Sequence, residues 1–236
     1  QRSGVSFDPG PLTGCPLVHG AIAWMECRVL PATAHVAGPH DLILAAALLS
    51  IALFLIGGFL VFWMAAGFAM LEAGLVRSKN VAMQLLKNIS LFAIACTMYY
   101  LIGYNLMYPL GNWTIGTDDT GGYLGAFAMA VLEAVGVGAD AVDDYSYAST
   151  GSDFFFQVMF CATTASIVSG TLAERIKLWP FMAFTLILTS VIYPIVGSWK
   201  WGGGFLDAAG FLDFAGSSVV HMAGATAALA GVLLLG

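Results

Sequence analysis

Residues 42–71 read LILAAALLSIALFLIGGFLVFWMAAGFAML, thirty positions without a charged side chain. A helix rises about 1.5 Å per residue, so roughly 20 apolar residues cross the ~30 Å hydrocarbon core of a bilayer. This stretch is long enough to cross the bilayer with a tilt or to protrude from it. It predicts a transmembrane helix, and it decides the fold class.

The composition of the whole chain also indicates a membrane protein. Apolar residues make up 59% of the 236 residues and charged residues only 9%, and the mean hydropathy is +0.87. A soluble domain carries about 25% charged residues, so this chain lacks the side chains that would cover a water-facing surface. The net charge of −6 indicates less than the positions of the charges do.

Four further apolar runs have the length of a membrane crossing. Together with the first, the predicted spans cover residues 42–71, 88–108, 154–172, 178–198 and 214–236. A sixth run, 123–139, is shorter, rich in glycine and interrupted by Glu133, so we assign it to an interfacial segment or loop. The sequence therefore predicts an all-α integral membrane protein, a polytopic bundle of five transmembrane helices.

The charged residues indicate which span ends face the cytoplasm. Five basic residues lie around the joints between the first and second and between the third and fourth spans: Arg77, Lys79, Lys87, Arg175 and Lys177. Lysine and arginine concentrate on the cytoplasmic side of membrane proteins. Residues 109–153 contain seven acidic residues, including Asp153, and no basic ones, so we expect this segment outside. The N-terminus is then external and Gly236 cytoplasmic.

Residues 1–41 form a predicted external tail. The tail contains Cys15 and Cys27, which could form a disulfide on the outer side, although spacing alone does not settle the geometry. Its histidines lack the spacing of metal ligands. The chain has no phosphate loop, nucleophile motif or zinc signature, so we expect no enzyme, no cofactor, no metal site and no nucleic-acid partner.

His221 is an ionisable residue within the last predicted span. The positions three, four and seven residues away hold small side chains: Ser217, Ser218, Gly224, Ala225 and Ala228. Small residues let membrane helices pack closely, so we predict that this face, with His221, points into the bundle about 10 Å from the start of the span. The histidine either bonds to a neighbouring helix or handles protons in a pore, which is the default for an ionisable group at that depth.

Aromatic and acidic residues lie near the outer ends of the last three spans. Phe156 and Phe160 are four residues apart in the third span, and Trp201 and Asp213 lie in the connection to the last one. Aromatic residues usually anchor helices at the membrane interface, which is our interpretation of Trp199. Aromatic faces beside a carboxylate also suit a small cation, because cation–π attraction contributes about 2 kcal/mol or more when desolvated.

Three stretches resemble the Amt/Mep/Rh ammonium transporter family. They are AMLEAGLVRSKN (69–80), FQVMFCATTASIVSGTLAERIK (156–177) and WGGGFLDAAGFLDFAGSSVVHMAGA (201–225), in the order and spacing of the family. The resemblance runs from about His40 to Gly236. Family members have eleven spans, built as two inverted five-helix repeats and a last helix. The resemblance therefore implies that these five spans form the first inverted repeat, and that the chain is a fragment of a longer reading frame.

The resemblance also implies a role for each residue that matches a family motif. Phe156 and Phe160 of the FQxxF motif would lie at the outer end of the pore, with Phe160 as the gate. Trp201 would contribute to the external ammonium-binding site, and Asp213 of the DFAG motif would be structural and would aid cation recruitment. His221 would be the first of two pore histidines, the second belonging to the other repeat.

The implied function is transport of ammonium or ammonia across the cell membrane. The cation would bind at an external aromatic vestibule and lose its proton, because burying an unpaired ion costs many kcal/mol. Ammonia would then pass through an apolar pore lined by histidines, which titrate near neutrality. The implied partners are ammonium, the lipid bilayer, identical subunits in a homotrimer and a PII-type regulatory protein on the cytoplasmic side. Two alternatives stay open: the membrane domain of an ammonium-sensing receptor, and an Rh-type gas channel.

Overall fold

A computed structural model describes residues 7–9, 16–18, 39–109, 112–117, 121–127 and 149–236. Five long helices dominate these residues: α1 (Pro39–Leu75), α2 (Ser78–Met107), α3 (Gly151–Thr171), α4 (Leu178–Ala208) and α5 (Ser217–Leu235). All five are long and apolar enough to cross a bilayer. The predicted all-α bundle with five membrane-spanning helices is therefore confirmed.

Lys87 and Asp153, which the sequence analysis places outside the spans, lie inside helices. Lys87, predicted in the first joint, is in α2 and only 4% exposed. Asp153, predicted in the acidic external segment, is in the first turn of α3 and 5% exposed. Charged side chains are costly in hydrocarbon, which is why a sequence-based boundary excludes them. Here hydrogen-bond partners from other parts of the bundle compensate that cost.

Three of the five helices contain a π-helical segment. These segments are Tyr99–Gly103 in α2, Leu188–Ile192 in α4 and Ser217–Met222 at the start of α5. A π turn bonds residue i to i+5 instead of i+4 and occurs often at functional sites. The residues after it are therefore rotated about the helix axis relative to a regular α-helix. In α4 the π-helical segment lies between the α-helical segments Leu178–Ile187 and Tyr193–Lys200, and a short helix, Phe205–Ala208, follows them.

The helix α3 is the centre of the bundle and packs against α2 and α5. Its small and polar residues, such as Ala162, Ala165 and Ser166, are buried, so neighbouring helices approach closely. One apolar cluster fills the half of the bundle around Tyr99 and Val220, and a second fills the opposite half around Leu91, Val168, Phe181 and their neighbours. By contrast, large apolar side chains of α1 lie on its surface, where lipid suits them.

Two antiparallel hairpins complete the described secondary structure. In the unit formed by residues 1–43, β1 (Phe7–Pro9) pairs with β2 (Pro16–Val18). Between α2 and α3, β3 (Trp113–Thr117) pairs with β4 (Gly121–Gly125). The rest of the predicted tail up to residue 38, with Cys15 and Cys27, lies outside the described residues, as does most of the run 123–139.

Trp199 attaches the second hairpin to α4. Its indole Nε1 donates a hydrogen bond to the Tyr123 carbonyl at 2.8 Å, and its ring contacts Phe205 edge-on at a centroid distance of 5.4 Å. Phe205 in turn stacks on Tyr123 at 4.7 Å. Trp199 therefore packs against the hairpin and the short helix that follows it in α4, and it is partly buried.

Glu174 connects the two basic joints. Its Oε1 accepts hydrogen bonds from the Arg77 backbone N–H at 2.8 Å and from Asn80 Nδ2 at 2.6 Å, and its Oε2 accepts one from Arg77 Nε at 3.0 Å. The Asn80 amide and the two Arg77 donors lower the pKa of the Glu174 carboxyl to about 2. Glu174 adopts the left-handed region with φ 62°, which is unfavourable for a residue with a Cβ. The two joints therefore lie at the same end of the bundle.

Candidate functional site

The N-terminal half of α3 presents Phe156 and Phe160 one turn apart. Their ring centroids are 5.0 Å apart, and the rings are almost perpendicular at 84°. Phe156 also contacts Phe54 of α1 edge-on at 5.1 Å. Gly57 of α1 makes room for this ring, because a Cβ at that position would lie 2.9 Å from it. The pair is thus held between α1 and the site around Trp201.

Trp201 extends the row of aromatic rings. Its ring centroid lies 5.7 Å from that of Phe160, and its Nε1 donates a hydrogen bond to the Asp213 carbonyl at 2.8 Å. Gly216 lies under the far edge of the indole, where a Cβ would be 3.0 Å from Cη2, and it adopts the left-handed region with φ 83°. Glycine is therefore required there both by the backbone and by the indole. We call Phe156, Phe160 and Trp201 the aromatic cage.

Asp213 caps the start of α5. Its Oδ1 accepts hydrogen bonds from the backbone N–H groups of Gly216 (2.8 Å) and Ser217 (3.0 Å) and from Ser217 Oγ (3.3 Å). Its Oδ2 accepts from the backbone of Ser218 (2.7 Å) and Val219 (2.9 Å).

These bonds determine the charge state of Asp213. Burial raises the pKa of its carboxyl, but the four backbone donors together lower it more, and the pKa lies below its usual value. The side chain is only 5% exposed. Both of its oxygens are therefore occupied by donors from α5, and its contact with the aromatic cage runs through its backbone carbonyl.

His221 lies in the π-helical segment of α5 and is exposed on the surface of this chain. Gly224 is instead buried against α3, where a Cβ would lie 3.0 Å from Ile167 Cβ, and Ala228 is buried as well. Of the small residues predicted to share a face with His221, Ser217 and Ala225 are likewise exposed on this chain, so only Gly224 and Ala228 lie on the side that packs against α3. No neighbouring helix bonds to the imidazole within the described part of the chain.

Thr164 of α3 connects the turn of Phe160 to the segment of α5 that contains His221. Thr164, one turn after Phe160 in α3, hydrogen-bonds to the Phe160 carbonyl at 3.1 Å. The same hydroxyl reaches the carbonyl of Val220, the neighbour of His221, at 3.5 Å. The structure thus brings the three cage residues together, attaches Asp213 to them, and places His221 farther along α5.

Sequence reasoning missed a buried polar cluster of Glu72, Gln84, Lys87, Asn88 and Ser169, where α1, α2 and α3 meet. Glu72 Oε2 accepts hydrogen bonds from Asn88 Nδ2 at 2.6 Å, from Ser169 Oγ at 2.9 Å and from Gln84 Nε2. Lys87 Nζ donates to the Ser169 carbonyl at 3.0 Å. One signal was available, because positions 84, 87 and 88 share a helix face.

The helical part of the chain resembles known proteins. Residues 52–236 match the sequence model of the Ammonium Transporter Family. The chain is similar to the ammonium transporter Amt2 of Archaeoglobus fulgidus, with 41% identity over 192 residues that cover 77% of this chain and 37% of that protein. It is also similar to the ammonium transporter of Bacillus subtilis, with 36% identity over 178 residues that cover 75% of this chain and 41% of that protein.

Two solved structures share the architecture. A sensor Amt protein superimposes with a TM-score of 0.67 and 29% identity, over 82% of this chain and 45% of that chain. Mep2 of Saccharomyces cerevisiae superimposes with a TM-score of 0.63 and 26% identity, over 79% of this chain and 39% of that chain. The chain thus spans about two fifths of the length of the relatives named here.

The matched region contains most of α1, all of α2 to α5 and every residue of the cage, together with Asp213 and His221. The named relatives from Archaeoglobus and Bacillus are transport proteins and not enzymes. The resemblance found in the three sequence motifs is confirmed. This chain is a multi-pass membrane protein that belongs to the ammonium transporter family.

Proposed function

We propose that this chain provides the outer vestibule and one pore histidine of an ammonium transporter. The observation that carries the proposal is the aromatic cage, whose rings follow one another at centroid distances of 5.0 and 5.7 Å. The chain spans about two fifths of the length of these relatives, so in this proposal the rest of the full-length protein completes the pore. The cage, Asp213 and His221 are the contribution of the present residues.

Ammonium binds first at Trp201 in this mechanism. The face of an indole ring attracts a small cation more strongly than a phenyl or phenol face does. The hydrogen bond from Trp201 Nε1 to Asp213 fixes the plane of the ring, so little conformational freedom is lost when the cation binds. The Asp213 carboxylate acts indirectly, by holding the start of α5 and therefore the carbonyl to which the indole bonds.

The proton leaves before the nitrogen enters the pore. Phe160 is apolar and offers no hydrogen bond to replace the hydration shell of an ion, so passage of ammonium beyond it is costly. Neutral ammonia avoids this cost. His221, next to the α3–α5 contact, then offers a hydrogen bond to ammonia, and with a second histidine from the rest of the protein it relays the separated proton.

The same proposal includes the sidedness of the bundle and its assembly. The basic joints connected by Glu174 are cytoplasmic, the N-terminus is external and Gly236 is internal. A homotrimer, and a PII-type regulator at the inner end, also belong to the proposal, and a native mass of three subunits tests the trimer.

Sidedness is tested by labelling single cysteines in a background without native cysteines. We expect Ser78→Cys to react with an impermeant thiol reagent only after the membrane is opened, because it lies in the first basic joint. Ile115→Cys in β3 is exposed and should react in intact cells. Labelling of both positions from outside would overturn the orientation.

Trp201→Leu tests the vestibule. In the full-length protein we expect the half-saturation concentration for ammonium to rise about 5- to 30-fold, as loss of ~1–2 kcal/mol of cation–π attraction implies. The current at saturating ammonium should change much less. Ammonium-evoked current as a function of concentration measures both. Trp199→Leu is the matched control, since that indole packs on Phe205 and Tyr123. If the two variants behave alike, Trp201 has no special role in binding.

A further inference from the structure

A second group of polar side chains is buried beside the aromatic cage. Asp153 and Gln157 of α3 are each 5% exposed, and Tyr193 of α4 is 0% exposed. Asp153 and Gln157 are four residues apart and therefore lie on one stripe of α3, next to the stripe of Phe156 and Phe160. None of these three polar residues has a part in the proposed transport mechanism.

Part of the hydrogen bonding in this group is satisfied within the protein. The Tyr104 hydroxyl donates to Asp153 Oδ2 at 2.7 Å, and the Gln157 side chain also bonds to Asp153. The nearby Tyr99 donates its hydroxyl proton to Met107 Sδ at 2.9 Å. Tyr99 lies between the other two tyrosines, with ring centroids 5.9 Å from Tyr104 and 6.3 Å from Tyr193.

Three polar atoms of the group have no hydrogen-bond partner among the described residues. They are Asp153 Oδ1, Gln157 Oε1 and the Tyr193 hydroxyl. Tyr193 and Tyr104 belong to the same buried cluster, in which the ring of Tyr99 contacts both of them. No basic side chain of the described residues pairs with Asp153. Buried polar atoms almost always have partners, because leaving one unsatisfied is costly, so three in one place point to a bound molecule.

We propose that Asp153, Gln157 and Tyr193 bind one small hydrogen-bond donor of the size of water. Two of the unpartnered atoms, Asp153 Oδ1 and Gln157 Oε1, are acceptors, and the Tyr193 hydroxyl both donates and accepts. A water molecule donates two hydrogen bonds and accepts one, and buried waters make about three such bonds. Ammonium has the same donor chemistry and a similar size, and it would also balance the charge of the carboxylate.

A molecule at this site would connect two helices next to the aromatic cage. Asp153 and Gln157 belong to the outer turns of α3, and Tyr193 follows directly after the π-helical segment of α4. A molecule bound to all three bridges α3 and α4 beside Phe156 and Phe160. It therefore helps to hold the turns of α3 that carry the cage phenylalanines.

The sign of the effect of Tyr193→Phe on Tm tests the site. If a bound molecule bridges the three side chains, losing the hydroxyl removes one of its bonds, and the Tm of the purified full-length protein falls by on the order of 2 °C. If the hydroxyl has no partner at all, its removal eliminates a buried unsatisfied group. An unchanged or higher Tm would therefore overturn the proposal.

A double-mutant cycle separates a shared bound molecule from simple repacking. Tyr193→Phe and Gln157→Leu should be non-additive in Tm, because either change already weakens the same bound molecule. Tyr99→Phe with Gln157→Leu is the control and should be additive, since the Tyr99 hydroxyl bonds to Met107. Additive effects in both pairs would contradict a shared molecule.

Ammonium chloride compared with choline chloride at equal ionic strength identifies the bound molecule. If it is ammonium, ammonium raises the Tm of the wild-type protein more than that of Tyr193→Phe. If it is water, ammonium shifts both proteins equally, through the vestibule alone. Neither result depends on whether the protein conducts, so failure of this site and failure of the transport proposal are distinguishable.

Discussion

Replacing His221 with alanine is expected to reduce the ammonium current of the full-length protein steeply, or to let potassium-sized cations pass, with little change in Tm. The imidazole is exposed on this chain and has no partner helix in its described residues, so its removal breaks few contacts of the fold. It does remove the imidazole that hydrogen-bonds to ammonia in the proposed mechanism, and it leaves space beside Ser217 that water can enter.

Current and selectivity have to be measured together with stability for this variant. Hydrogen bonds between membrane helices average only ~0.6 kcal/mol, so a purely structural histidine would also show a small loss of stability. Transport decides between the two roles. Met222→Ala, at the next residue in the same π-helical segment, which is also exposed on this chain, should conduct ammonium as the wild type does. Normal ammonium currents with unchanged selectivity in His221→Ala would remove the histidine from the pore.

Asp213→Ala is expected to lower both stability and transport, and to lower transport at every ammonium concentration. Four backbone N–H groups at the start of α5 lose their acceptor. Loss of a helix cap with buried donors costs about 2–4 kcal/mol. The Asp213 carbonyl that accepts from Trp201 Nε1 then loses its fixed position, so the aromatic cage is disordered as well.

The dependence of the current on ammonium concentration distinguishes this positioning role of Asp213 from direct binding of the cation. A carboxylate that contacts the cation would, when removed, raise the half-saturation concentration and leave Tm nearly unchanged. We expect instead a lower maximal current and a lower Tm in Asp213→Ala. Asp213→Asn keeps one acceptor oxygen and should lie between alanine and the wild type. A change confined to the half-saturation concentration, with normal Tm in both variants, would contradict the cap.

The sequence predicts the five helices well because long apolar runs have few other stable structures. It places helix ends less well where a charged side chain lies inside the bundle. In the sequence, Lys87 resembles a basic residue that flanks a membrane span. Its hydrogen-bond partner Ser169, however, lies in another helix, 82 residues later. Asp153 is similar, since its partner Tyr104 lies across the acidic segment. Tertiary partners of this kind leave no signal in the local pattern.

The site was predicted in two different ways. The pairing of Phe156 and Phe160 follows from helical spacing, whereas the association of Trp201 with them rests on resemblance to the family. Helical spacing groups His221 with Ser217 and Ala225, which are also exposed on this chain, but it does not separate them from Gly224 and Ala228, which pack against α3. The capping by Asp213 could be suspected from an aspartate before a helix, but its bond to Trp201 required the structure.

The most direct test of the transport proposal is an ammonium pulse applied to proteoliposomes that contain the purified full-length protein. We predict a transient positive current that saturates with ammonium, and a much smaller current with potassium at the same concentration. Both the cage and the histidine pore require this result. A correctly assembled protein that gives no ammonium current, or equal currents for ammonium and potassium, would contradict it.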